Sequence, residues 1–377
     1  MTAPASQPAR PHDVVTLAAG GAHVELVPAL GGKIASLRLA GREWLWTNDQ
    51  LPRVAPAPDV AADDHASYVD TADTGGYDEC LPTVGPCTVD VPGAGRVTLP
   101  DHGELWSQPG VTERVAAADG AAAAVTRWTG RRLPYAFSRT VTVGADGAVR
   151  MAYALTSRAA EAIPFLWSSH PLLPFTPDTR LDLPVAARVR VWSERGIALG
   201  GEGAEHRWPV LRVGDAHATR FGPHELDFTH PAAVAHALGR TAVGDAADDA
   251  AHDGAPRAAA GYACKLFLDL PGAAGRSESG RPAAGRLVRL GIEQAGARLE
   301  VEVDPAEVPH LGLWLNHGAW SPSSDRRPCC NLGFEPCIGA PDALDAALGP
   351  WQGAHWLAAG ETRRWTLTWR GRAAPAS

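Results

Sequence analysis

Three short stretches carry residues able to move protons. NLGFEPCIGAPDAL, residues 331–344, sets the carboxylate of Glu335 between Phe334, Pro336 and Ile338, a charge where its neighbours argue for burial. A carboxylate shielded from water is a stronger base than a solvated one. FLWSSHPLLPF, 165–175, places His170 in a polar trio between apolar runs. Imidazole titrates near neutrality and can both give and recover a proton. LPDHGELW, 99–106, puts His102 just before Gly103. A carboxylate and imidazoles on opposite sides of one small molecule suffice for acid–base chemistry with no redox step and no metal. Each residue also has a plainer use. Glu335 can accept backbone N–H bonds in a turn, His170 can be a hydrogen-bonded core histidine, and His102 can serve its turn.

The elements that must position these residues are strands. The 377 residues are 45% hydrophobic and 20% charged, with no apolar run long enough for a transmembrane helix. Residues 13–46 break into short runs at Gly-Gly and Ala-Gly turns, a meander pattern. VTVGADGAVRMAYAL, 141–155, and RLVRLGIEQAGARLEVEVD, 286–304, read as hairpins, and TRRWTLTWRG, 362–371, as a closing strand. Helical periodicity is nearly absent; PDALDAALG, 341–349, offers one or two turns. Two Ala/Gly-rich stretches, 240–261 and 271–285, read as long inserted loops. The expected architecture is all-β, one large antiparallel β-sandwich over residues 13–371 with tails at 1–12 and 372–377. The N-terminus lacks a signal-peptide pattern, which favours the cytoplasm. A net charge of −8 argues against nucleic-acid and membrane partners. The six cysteines form no paired CxxC and no zinc spacing; they read as small buried hydrophobes, and no metal or other cofactor is expected.

The order of motifs resembles the aldose 1-epimerase (galactose mutarotase-like) family. VELVPALGGKIASLRLAGREWLW, 24–46, is similar to its opening strand, Gly-Gly turn and I-x-S-L segment. LPDHGELW, FLWSSHPLLPF and NLGFEPCIGAPDAL resemble its first-histidine, second-histidine and Glu-Pro motifs, and LAAGETRRWTLTWR, 357–370, its last strand. The sequence departs from the pattern at Ser169 and Pro171, which flank the second histidine, and at TGGYDECLPTVGP, 74–86, where an Arg-bearing motif is missing. The resemblance implies a β-supersandwich that interconverts the α and β anomers of a small-molecule sugar and allows a homodimer. It implies Glu335 as general base, His170 as general acid and His102 as a sugar-binding partner.

Sugar sites pair aromatic faces with polar groups. Among thirteen tryptophans, Trp106 and Trp167 lie beside the two histidines and Trp320 lies in NHGAWSP, 316–322. Asp78 sits with Tyr77 and Glu79 after a Gly-Gly turn, placed either to contact hydroxyls or to be solvated. Lys265, one of only two lysines, alternates with apolar residues in YACKLF; it is a candidate for an anionic substituent or for guarding an edge strand. Arg326 and Arg327 offer a cationic pair or a solvated surface. Two further readings stand beside the epimerase: a non-catalytic carbohydrate-binding protein on the same fold, and a sugar lyase or isomerase.

Overall fold

The structure is a computed structural model that describes residues 13–214, 224–239, 261–273 and 287–373. The tail at 1–12, residues 374–377 and most of the stretches 240–261 and 271–285 lie outside the described residues.

Short turns build the hairpins where the sequence places them. Val288–Gln294 pairs with Ala297–Val303 across a two-residue loop, Ala295–Gly296, whose φ values of 47° and 71° are the doubly positive pair such a tight turn demands. Tyr135–Val143 pairs with Val149–Ser157, and the first of these alternates buried and half-buried residues along its whole length. That period of two puts one face inward. The closing strand, Thr362–Ala373, runs on through Ala373. The short helix expected near 341–349 spans Leu344–Leu348.

Among the described residues these strands form a large sheet of thirteen strands and a smaller one of eight, all antiparallel within each ladder. The two pack face to face: Trp167 of the large sheet lies 4.8 Å from Tyr153 and 4.9 Å from Trp365 of the small one, ring centre to ring centre. The protein is thus an all-β antiparallel sandwich.

Six strands at the middle of the large sheet carry the site: β1 (Tyr77–Cys80), β2 (Trp167–Pro174), β3 (Arg188–Arg195), β4 (Ala263–Asp269), β5 (His310–His317) and β6 (Cys330–Ile338). Their spatial order is β1-β2-β6-β5-β4-β3. Strands β2, β4 and β6 are buried on both faces, unlike the alternating strands of the small sheet. Their even-odd split explains this. Leu266, Leu313, Leu332 and Phe334 enter the sandwich core, while His170, Lys265, Trp314 and Glu335 leave from the opposite face. That second face is roofed in part by a one-turn helix, α1 (Tyr68–Thr71), and by the loop holding Trp320.

Candidate active site

Pairing places the charged groups. Ser168 lies opposite Cys337 and Leu172 opposite Gly333, and that register sets His170 across from Glu335 on adjacent strands. On the other side of Glu335 stands Gly312 of β5, and beyond it Lys265 reaches in from β4. The Lys265 ammonium donates to Glu335 Oε2 at 2.5 Å and lies 3.4 Å from Asp342 Oδ1. Glu335 is fully buried. Its Oε1 has no hydrogen-bond partner among the described residues and lies 3.8 Å from His170 Nε2, beyond hydrogen-bond range.

Gly333 makes room for this carboxylate. A Cβ added there would sit 2.3 Å from Glu335 Oε1. The glycine is therefore required by close approach rather than by an unusual φ.

The imidazoles form a second wall. The rings of His102 and His170 meet edge to face with centres 4.9 Å apart, and Tyr68 stacks on His102 at 4.3 Å. His102 Nδ1 bonds Asp101 Oδ1 at 2.8 Å. The other oxygen of Asp101 accepts from the backbone N–H groups of Tyr68 and Val69, so one carboxylate holds both the histidine and the start of α1. Behind Tyr68, its hydroxyl donates to Asp78 Oδ2 at 2.6 Å, and Lys33 pairs with the same carboxylate.

These surroundings set the charges. Burial works against a charged His102, but Asp101 outweighs it and raises the imidazole above its ordinary value. Burial, then the cations His102 and Lys265, hold His170 well below the usual histidine range. Burial also opposes the Lys265 ammonium, yet Asp342 and Glu335 push its pKa up, so it stays charged. Burial raises Asp342 and Asp73 above the ordinary carboxylate despite nearby cations. Of the two histidines, His102 is the one whose surroundings favour the imidazolium.

The groups open on a cavity of about 510 Å³, lined by His102, His170, Lys265, Glu335 and Asp342, with Trp192, Trp314 and Trp320 at its walls. Trp314 and Trp320 stand perpendicular, 5.6 Å apart. A buried carboxylate with one free oxygen, facing imidazoles across such a space, is able to exchange protons with a small polar ligand.

No family model matches this sequence, and no curated protein matches it. Solved structures do match in shape. The Slr1438 protein of Synechocystis sp. PCC 6803 superposes with a TM-score of 0.56 at 13% identity, over 99% of this chain and 100% of that one. A galactose mutarotase-like protein from Lactobacillus casei ATCC 334 gives 0.51 at 14% identity, over 96% and 100%. Another from Clostridium acetobutylicum gives 0.54 at 12%, over 96% of each. The chain has a galactose mutarotase-like fold. At these identities the likeness speaks for the fold alone.

Within this mutarotase-like sheet, the residues singled out from sequence fall into two groups. Glu335, His170, His102, Lys265 and Trp320 meet at the cavity. Asp78, Trp106 and Trp167 lie elsewhere. Asp78 sits beneath Tyr68 in its pair with Lys33, and Trp106 packs edge-on against Tyr68 and donates to the Asp101 carbonyl. Trp167 points into the sandwich and donates to Glu79 Oε2 at 2.9 Å. Adjacency in sequence misled here: neighbours along a strand point to opposite faces, so Trp167 cannot share the face of His170. The arginines also stand outside the cavity lining. Arg326 donates to the carbonyls of Val69 and Asp70 on α1, and exposed Arg327 pairs with Asp49. Sequence reasoning passed over Asp101 and Asp342, although both stand inside motifs it quoted. The expected burial of Glu335 is found, and the structure adds an ammonium partner, Lys265. No helix among the described residues is long and apolar enough to cross a membrane.

Proposed function

We propose that the chain is a mutarotase of the aldose 1-epimerase kind. It interconverts the α and β anomers of a free monosaccharide or simple derivative by opening and reclosing the ring. The supporting observation is the state of Glu335: Oε2 is anchored by Lys265, while Oε1 stays buried, unbonded and 3.8 Å from His170 Nε2. A hydroxyl set beside that pair of atoms is within reach of both a base and an imidazole. Ring opening needs one proton removed from the anomeric hydroxyl and one delivered to the ring oxygen. The cavity of about 510 Å³ suits a ligand of monosaccharide size, and Trp314 and Trp320 offer aromatic faces to its C–H groups. The mutarotase-like names of structural neighbours agree with this reading.

The test is anomer exchange followed by NMR across a panel of free aldoses. Wild type is expected to add to the spontaneous rate for at least one sugar, and Glu335→Gln to remove about 10²–10⁴ of that addition. A Glu335→Gln variant as fast as wild type defeats the assignment. The Lys265 ion pair favours a second reading, a sugar-binding protein, because a carboxylate held in place by an ammonium is a fixed hydrogen-bond acceptor for a ligand hydroxyl. Saturable binding with no added exchange for any sugar would establish that reading instead.

A further inference from the structure

We infer that the proton delivered to the ring oxygen comes from the Asp101–His102 dyad rather than from His170. This deepens the mutarotase reading and rests on it. The two imidazoles are held differently. His102 has a carboxylate on Nδ1 at 2.8 Å and a tyrosine ring stacked on its face, so its orientation is fixed and its other nitrogen, Nε2, is left for a ligand. His170 has neither support. Its Nδ1 is buried with no hydrogen-bond partner among the described residues, and its Nε2 stops 3.8 Å from Glu335.

The surrounding charges separate the two rings further. His102 faces Asp101 and Tyr68, with Asp73 and Asp342 as further anions acting on it. His170 faces Glu335 and Asp78 but also Lys265, Lys33 and His102 itself. Two imidazoles 4.9 Å apart in a closed space do not both carry a charge, and the carboxylate decides which one does. His170 neighbours both groups: its Nε2 lies 3.8 Å from Glu335 Oε1 and its ring centre 4.9 Å from that of His102. A sugar lying over His170 with its C1 edge toward both groups offers its anomeric hydroxyl to Glu335 and its ring oxygen, bonded to the same carbon, to His102.

The step balances on these groups. Glu335 Oε1 takes the anomeric hydroxyl proton. The freed electron pair forms the C1 carbonyl, the bond from C1 to the ring oxygen breaks, and that oxygen takes the proton from His102 Nε2. Glu335 is then protonated and His102 neutral; closure on the other face of the carbonyl reverses both transfers. Asp101 acts as a positioning residue, and neutral His170 orients the substrate.

The experiment is the pH profile of anomer exchange for wild type, Asp101→Asn, His102→Asn and His170→Asn, with the histidine rings of wild type titrated by ¹⁵N NMR. Because His102 must be protonated to donate, kcat is present below its raised pKa and lost as pH rises through it. Asp101→Asn removes the cause of the raising, so this alkaline limb moves down by about one pH unit or more. His102→Asn lowers kcat by about 10²–10⁴. His170→Asn keeps the alkaline limb in place and changes KM more than kcat. The NMR titration, which needs no variant to fold, shows a protonated His102 and an uncharged His170 at neutral pH. A protonated His170 beside a neutral His102, or an alkaline limb unmoved by Asp101→Asn and lost in His170→Asn, overturns the inference while leaving the mutarotase standing. Absence of wild-type exchange with every sugar overturns both.

Discussion

At the scale of single residues, the site depends on what is missing next to Glu335. Gly333 and Gly312 both flank the carboxylate, but they are not equivalent. A Cβ at Gly333 would collide with Oε1 at 2.3 Å and with the Trp314 Cβ at 2.9 Å, whereas a Cβ at Gly312 would meet its neighbours at an ordinary 3.4 Å. Gly333→Ala must therefore swing the working oxygen away from the gap facing His170. The expected outcome is a loss of anomer exchange of about 10²–10⁴, the usual worth of a positioned base, while Gly312→Ala stays within a few-fold of wild type. Exchange rates for the two alanine variants, measured side by side, check this. Equal rates would mean that the position of Oε1 does not matter. Residue types at this scale were legible early: the flanks of Glu335 and the polar setting of His170 announce themselves in sequence. Lys265 was singled out too, but its pairing with Glu335 was not legible, because the two are 70 residues apart and only strand pairing brings them together.

At the scale of elements, strands were readable and their roof was not. Alternation and Gly-containing turns mark the hairpins, since each needs only local residues. Helix α1 is a single turn held by others: Asp101 takes its first N–H groups, and half-buried Arg326 donates to the carbonyls of Val69 and Asp70 at 3.2 and 2.8 Å. Four residues cannot announce a helix through periodicity. Arg326 belongs to the segment that follows Trp320, and both Val69 and Trp320 line the cavity. The arginine thus clasps the two parts of the roof together. Losing hydrogen bonds worth about 0.5–1.5 kcal/mol each loosens that roof without touching the proton-transfer groups, a ~2–10-fold effect. Arg326→Ala is accordingly expected to raise KM by that factor and to leave kcat within about twofold. A kcat that falls as far as in Glu335→Gln would instead place Arg326 in the chemistry.

At the scale of the whole molecule, the sandwich buries a second charged cluster on the far face of the same sheet. Glu79 of β1 accepts from Arg139 Nη1 at 2.9 Å, Tyr153 at 3.1 Å and Trp167 at 2.9 Å, and Arg139 is fully enclosed between the sheets. Nothing local foretells this. Glu79 and Arg139 lie on different sheets, and the order that places β1, β2 and β6 side by side joins strands some 90 to 160 residues apart in sequence. Loop closures of that length leave no local pattern to read. The cluster has a consequence for stability. Burial raises the Glu79 pKa to about 7 despite Arg139 and the other donors, from an ordinary value of 4.5. Between those values the unfolded chain has released the Glu79 proton while the folded chain keeps it, so stability contributed by this group falls as pH rises from about 4.5 to about 7. Urea denaturation midpoints of wild type and Glu79→Gln, compared at several pH values across that window, isolate the contribution. Glu79→Gln is less stable at the acid end of the window, because it gives up one of the two carboxyl oxygens that accept from Arg139, Tyr153 and Trp167. The gap between the two proteins is nevertheless expected to narrow as pH rises, since only wild type bears the growing cost of ionising a carboxyl between the sheets. A gap that widens with pH would mean that Arg139 keeps Glu79 ionised over the whole range and that the pair acts as a permanent ion bridge between the two layers.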